Sequence, residues 1–150
     1  MRLVIQRVKN AGVLVDQRTV SKINEGLLIL CAVAENEQTE DLEWTVNKVL
    51  SMRIFSDQAG KMNNSVTDIG GEILVVSQFT LFASTKKGNR PSFGGSAKGE
   101  GAKKWFDKFC QQLSNKGAIP VQKGIFGADM QVSLKNDGPV TILLDSRDRA

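Results

Sequence analysis

Apolar and polar positions divide the chain into strands, a helix, a strand, a second helix and strands again. Leu3 to Val8 alternates and predicts a first strand, Asn10-Ala11-Gly12 a turn, and Val13-Leu14-Val15 a hairpin partner. Val20 to Ile23 is a further short strand, closed by Asn24-Glu25-Gly26, and Leu27 to Val33 is an unbroken apolar strand that belongs in the middle of a sheet. Thr39 is placed to cap a helix with Glu40 and Asp41 in its first turn, where Leu42, Val46, Val49 and Leu50 form one apolar stripe. Met52 to Phe55 predicts a short strand and Ser56 to Ser65 a polar surface loop.

The stretch Glu72 to Ala83 organises the rest. Ile73 to Val76 are apolar and β-prone, as in a strand buried on both faces. Ser77, Gln78 and Thr80 then place two hydroxyls and an amide at its end, interleaved with Phe79 and Leu81. Polar groups there are costly to bury without partners, so the cluster either meets a ligand or bonds to nearby backbone. A Gly-, Ser- and Lys-rich segment, Ser84 to Gly101, leads to a second helix starting near Ala97 or Ala102 and running to Leu113. Ala102, Trp105, Phe106, Phe109 and Leu113 share one face of it. Those glycines lack the Gly-Lys-Ser/Thr ending of a phosphate-binding loop. Strands follow at Ile119 to Gln122, Met130 to Leu134 and Val140 to Asp145, with Asn136-Asp137-Gly138-Pro139 reading as a tight hairpin turn.

At 150 residues one domain, 1–150, is expected. Its longest apolar run, Leu27 to Ala34, has eight residues, far below the roughly 18 needed to span a bilayer. Without a signal-peptide pattern, and with Cys31 and Cys110 reading as buried thiols, the expectation is a cytoplasmic protein away from membranes. No histidine is present, which removes Ser-His and Cys-His dyads and His-ligated zinc; neither a metal nor a cofactor is expected. The net charge is +4, yet the segment from Lys86 to Lys108 holds seven basic and two acidic residues. That local field suits a nucleic-acid backbone, or else a solvated helix face beside a basic loop.

Four segments together go further: Met1-Arg2-Leu3-Val4-Ile5-Gln6-Arg7-Val8, Ser77-Gln78-Phe79-Thr80-Leu81, Asn89-Arg90-Pro91-Ser92-Phe93 and Asn136-Asp137-Gly138-Pro139-Val140-Thr141. With Gly124-Ile125-Phe126-Gly127-Ala128-Asp129-Met130 between the last two, the chain closely resembles the D-aminoacyl-tRNA deacylase family over essentially its whole length. The resemblance implies an α+β fold, with mixed β-sheets forming a barrel-like or sandwich core and two main helices outside. It also implies a homodimer that hydrolyses the ester between a D-amino acid and the 3′-terminal adenosine of tRNA. Glycine wrongly attached to tRNA-Ala is an implied second substrate, having no side chain for a chiral filter to reject.

By the same resemblance Gly138-Pro139 would be a cis peptide reaching into the partner subunit's pocket, a state found in about 5–6% of X–Pro bonds. Arg7 would hold that dipeptide in place. Ser77, Gln78, Phe79 and Thr80 would form the reaction centre, and Phe126 and Met130 the apolar walls of an adenine pocket, unless those two are plain core. Lys86, Lys87 and Arg90 would meet acceptor-stem phosphates.

The filter itself follows from physics: an enzyme that accepts many D-side chains must read the arrangement at Cα with rigid main-chain groups and exclude the L-hand. For the chemistry, two routes stay open. Thr80 could attack, although the chain offers no histidine as its base. Alternatively the ribose 2′-hydroxyl assists water while backbone N–H groups near Phe79 and Thr80 hold the oxyanion. A non-catalytic RNA-binding module is the rival class.

Overall fold

The computed structural model describes residues 1–149. In chain order the elements are β1 (Arg2–Val15), β2 (Arg18–Ile23), β3 (Gly26–Ala32), α1 (Thr39–Ser51), β4 (Phe55–Ser56), β5 (Met62–Asn64), β6 (Glu72–Ser77), a 3-10 turn (Phe79–Phe82), α2 (Gly99–Gly117), β7 (Val121–Lys123) and β8 (Gln131–Asp145).

β1 is the spine. Its first half pairs antiparallel with β3, from Arg2↔Ala32 to Val8↔Gly26, and its second half with β2, from Ala11↔Ile23 to Val15↔Arg18. β8 runs antiparallel along its other edge over nearly the whole length. β6 lies parallel to β3, and β7 parallel to β6. Gln122 Oε1 accepts the Lys22 amide at 3.0 Å, so β7 reaches β2 and the mixed sheet nearly closes into a barrel. With two helices packed on it, the α+β architecture is the one expected.

The two faces of the sheet explain the apolar runs. Leu3, Ile5, Leu27, Ile29, Ile73 and Val75 face α1 and α2, meeting Leu42, Val46, Val49, Phe106, Phe109 and Leu113. Burying side chains of this size contributes about 1.5–3 kcal/mol each. On the opposite face Val8, Val13, Ile23, Leu28, Leu74 and Val76 form a second cluster inside the barrel. β3 and β6 are therefore apolar on both sides. They also approach closely where they begin: a Cβ on Gly26 would fall 1.8 Å from the Glu72 carbonyl oxygen.

Several local expectations are corrected. Asn10-Ala11-Gly12 is no turn: Ala11 is buried, and Gly12 pairs with Lys22 on one side and Ser133 on the other. The reversal falls at Asp16–Gln17, both at positive φ, as a two-residue hairpin of the favoured hand requires. Thr39 lies inside α1, and Gln38 occupies the cap position with no side-chain bond. The strand expected over Met52 to Phe55 is only Phe55–Ser56, and it pairs with β5, within the expected loop. α2 runs on to Gly117 and ends at Ala118, in the left-handed region, while Trp105 is only half-buried. Asn136-Asp137-Gly138-Pro139 is not a hairpin turn. β8 continues through it as one strand with a bulge, because Val8 pairs with Asn136 and Gln6 with Thr141, leaving extra residues on the β8 side.

A buried ion pair fixes the chain ends. The Met1 ammonium donates to Glu37 Oε1 at 2.8 Å and Ser146 Oγ at 2.6 Å, with both charged groups fully buried. Glu37 Oε2 also accepts the Ala34 amide. Among the described residues no helix is long and apolar enough to cross a membrane, and no three His, Cys, Asp or Glu side chains gather around a possible metal.

Candidate active site

The parallel pair β3 and β6 ends at Cys31↔Ser77, and the Gln78 amide donates to the Cys31 carbonyl at 2.8 Å, carrying the register one residue further. The backbone then tightens into the 3-10 turn, with Leu81 N–H on the Gln78 carbonyl and Ala83 N–H on that of Thr80. Among the described residues the Phe79 and Thr80 amides meet no acceptor, as expected for the first donors of such a turn. Ser77, Gln78 and Phe79 line a cavity of about 290 Å³. The opposite wall is the 124–130 segment, tied down by Gly124 N–H on the Val75 carbonyl and Ala128 N–H on that of Ile125. Phe126 and Met130 are among the cavity's lining residues. The Phe126 ring rests 5.7 Å from that of Phe106 in α2, and Met130 packs on the inner cluster.

Thr80 Oγ1 accepts a hydrogen bond from Gln78 Nε2 at 2.6 Å. That nitrogen only donates, so this bond does nothing to remove the hydroxyl proton. The ionisable groups lining the cavity are Cys31 and Asp129. Burial, reinforced by nearby Cys110, pushes the Cys31 thiol well above its ordinary value, which leaves it neutral. Asp129 is exposed and in no ion pair among the described residues. The cavity is thus lined by Phe126 and Met130 together with Ser77, Gln78 and Phe79, while Thr80 lies outside its lining. It presents no base hydrogen-bonded to Thr80.

Gly138, Pro139 and Arg7 lie elsewhere. Arg7 pairs with Leu27 near the start of β3, whereas Ser77 pairs with Cys31 at its end, about 13 Å further along at a strand's rise per residue. The Gly138–Pro139 peptide is cis, and both residues are exposed. Arg7 Nε donates to the Asp137 carbonyl at 3.1 Å and Nη1 to the Ile54 carbonyl at 2.7 Å. Asn136 Oδ1 accepts the Val140 amide across the bulge. Within one chain the dipeptide and the cavity are therefore not brought together.

Lys86, Lys87 and Arg90 are exposed on a loop that follows the 3-10 turn and is closed by two hydrogen bonds between Ser84 and Ser92. The loop returns to the cavity through Phe93, whose ring stands edge-on to Phe79 at 5.1 Å. Sequence reasoning missed Cys31, Ser96 and Asp129 as lining residues. Ser96 arrives through its bridge to Ala34, a pairing with no local signal, whereas Asp129 could have been read from its place beside Met130.

Residues 4–145 match the D-Tyr-tRNA(Tyr) deacylase family. The chain belongs to that family. It is accordingly a hydrolase, a D-aminoacyl-tRNA deacylase, with tRNA as its substrate. Among solved structures it is similar to one titled "c-Myc DNA Unwinding Element Binding Protein", at 40% identity over 97% of this chain and 98% of that one, with a TM-score of 0.90. It shares its fold with another described as a probable eukaryotic D-amino acid tRNA deacylase, at 18% identity over 95% and 97% of the two chains, with a TM-score of 0.82.

Proposed function

We propose that this deacylase is a single-domain chiral proofreader in the cytoplasm, which cleaves the ester of D-aminoacyl-tRNA and of glycyl-tRNA-Ala while sparing L-aminoacyl esters. The terminal adenosine occupies the cavity between Ser77–Thr80 and the Phe126 and Met130 walls. Water attacks the acyl carbon with help from the ribose 2′-hydroxyl, the acyl–oxygen bond breaks, and the 3′-oxygen leaves with the proton. The Phe79 and Thr80 amides hold the oxyanion, a role in which a single donor can supply about 3 kcal/mol. The observation that carries this reading is the Thr80 hydroxyl, which meets Gln78 Nε2 and is hydrogen-bonded to no base among the described residues. The test is one tRNA charged in turn with D-Tyr, L-Tyr, Gly and L-Ala. Release of D-Tyr and Gly alone is expected, and binding without release would restore the RNA-binding module.

The chiral filter is assigned to Gly138-Pro139 of a second copy, held by Arg7 of that same copy. Support comes from the separation of the dipeptide from its own chain's cavity, and from the outer edge of β8, which is unpaired among the described residues and carries Leu143 at 76% exposure. Mixing a Gly138→Ala chain with an Ala128→Trp chain, whose cavity is filled, should regain activity that neither has alone. No recovery in confirmed mixed dimers would overturn the two-copy site. Lys86, Lys87 and Arg90 then meet acceptor-stem phosphates.

A further inference from the structure

Beside the first cavity lies a second hollow of about 430 Å³, lined by Phe79, Phe93, Ser96, Ala97, Lys98 and Phe126 among others. Phe79, Ser96, Ala97 and Phe126 line both, so the two hollows are neighbours with a shared boundary to which Phe79 contributes. Phe79 is 55% exposed, and Phe93 packs on its ring in an edge-on pair, with 76° between the ring planes. An exposed aromatic surface so braced is a ready stacking platform. Lys98 stands at the rim, exposed and in no ion pair among the described residues.

We propose that this hollow is a second nucleotide subsite, taking the nucleotide that precedes the terminal adenosine, with its base on Phe79 and Phe93 and its phosphate toward Lys98. The inference rests on the reading of the first cavity as the terminal-adenosine site. A strand whose last residue fills that cavity continues into the neighbouring hollow, where the next base meets the Phe79 and Phe93 rings. Every base has a face to stack, so aromatic platforms tolerate sequence, and a neighbouring cation answers the phosphate charge. The other candidate occupant, the D-side chain, fits poorly. Two phenylalanines and a lysine would discriminate among side chains that a chirality filter must treat alike.

The test uses D-Tyr esterified to adenosine alone, to a dinucleotide, to a trinucleotide and to whole tRNA. Wild-type kcat/KM should rise roughly tenfold from adenosine to dinucleotide, through KM, as stacking on one base allows. Phe93→Ala should lose that rise while keeping the rate on adenosine, and Lys98→Glu should lose it in part. Circular dichroism checks the fold, and Phe93→Leu with Lys98→Glu carries the test if Phe93→Ala is unfolded. Equal losses on all four substrates would overturn the subsite. So would a loss that follows the side chain, D-Tyr against D-Ala, or a changed sedimentation mass with no dependence on nucleotide number. If wild-type protein releases D-Tyr from none of them, the proposed function falls and the subsite with it.

Discussion

Arg7 grips Asp137 twice: its Nε donates to the Asp137 carbonyl at 3.1 Å and stands 3.4 Å from the carboxylate. A third contact, to the Ile54 carbonyl, fixes the far side of the guanidinium. Gly138 packs directly on this fork; a Cβ there would lie 3.1 Å from Arg7 Nη2, at a backbone φ of +130°. Lysine has no planar fork to bridge two carbonyls. Arg7→Lys should therefore lower D-aminoacyl-tRNA hydrolysis at least tenfold with little loss of thermal stability. Single-turnover kinetics and a melting curve check this, and unchanged kinetics would remove Arg7 from the filter.

The Thr80 hydroxyl is met by an amide donor rather than a base. Thr80→Ala should therefore cost less than about tenfold in rate, the scale of one neutral hydrogen bond. D-aminoacyl-tRNA ending in 2′-deoxyadenosine should be nearly inert. The opposite pattern, a dead Thr80→Ala and an active deoxy substrate, would make Thr80 the nucleophile.

Replacing Lys86, Lys87 and Arg90 together with alanine should flatten the dependence of log affinity for tRNA on log salt by nearly three units, at about 0.9 per phosphate contact on a duplex. Filter binding between low and moderate salt measures it. An unchanged slope would take the loop off the RNA.

Acid should weaken the fold through Asp145. Burial pushes its carboxyl up, but the Arg147 amide at 2.9 Å and Arg2 Nε at 2.8 Å outweigh that and hold it below the ordinary range. A group lowered in the folded state contributes stability above its unfolded value, about 3.9, and loses it as pH falls through the folded value. The melting temperature should drop below about pH 4. Asp145→Asn should start lower and drop less across the same window, as read by calorimetry.

Much of this was legible locally. The unbroken runs Leu27 to Val33 and Ile73 to Val76 are apolar on both faces because they lie between two clusters, and Leu42, Val46 and Val49 point inward as their spacing requires. The Ser77–Thr80 polar cluster stood out because it ended such a run. What failed was anything set by distant pairing. Asn10-Ala11-Gly12 carries turn residues, yet β1 is paired on both edges there, and those bonds override local preference. Asn136-Asp137-Gly138-Pro139 has hairpin composition, but Arg7 and Val8 hold it against β1 as a bulge. No spacing in the sequence announces that Cys31 meets Ser77, or that Ser96 reaches the same cavity.

The interruption in β8 also governs what may attach to it. An open edge fifteen residues long ordinarily invites promiscuous strand addition and growth into fibres. Here the bulge, and a proline with no N–H to offer, split that edge into two short runs, 131–136 and 140–145. A visiting strand could zip onto either run but not across both without a matching gap. Such a broken edge works as a keyed lock against aggregation, open to a partner that carries the same notch.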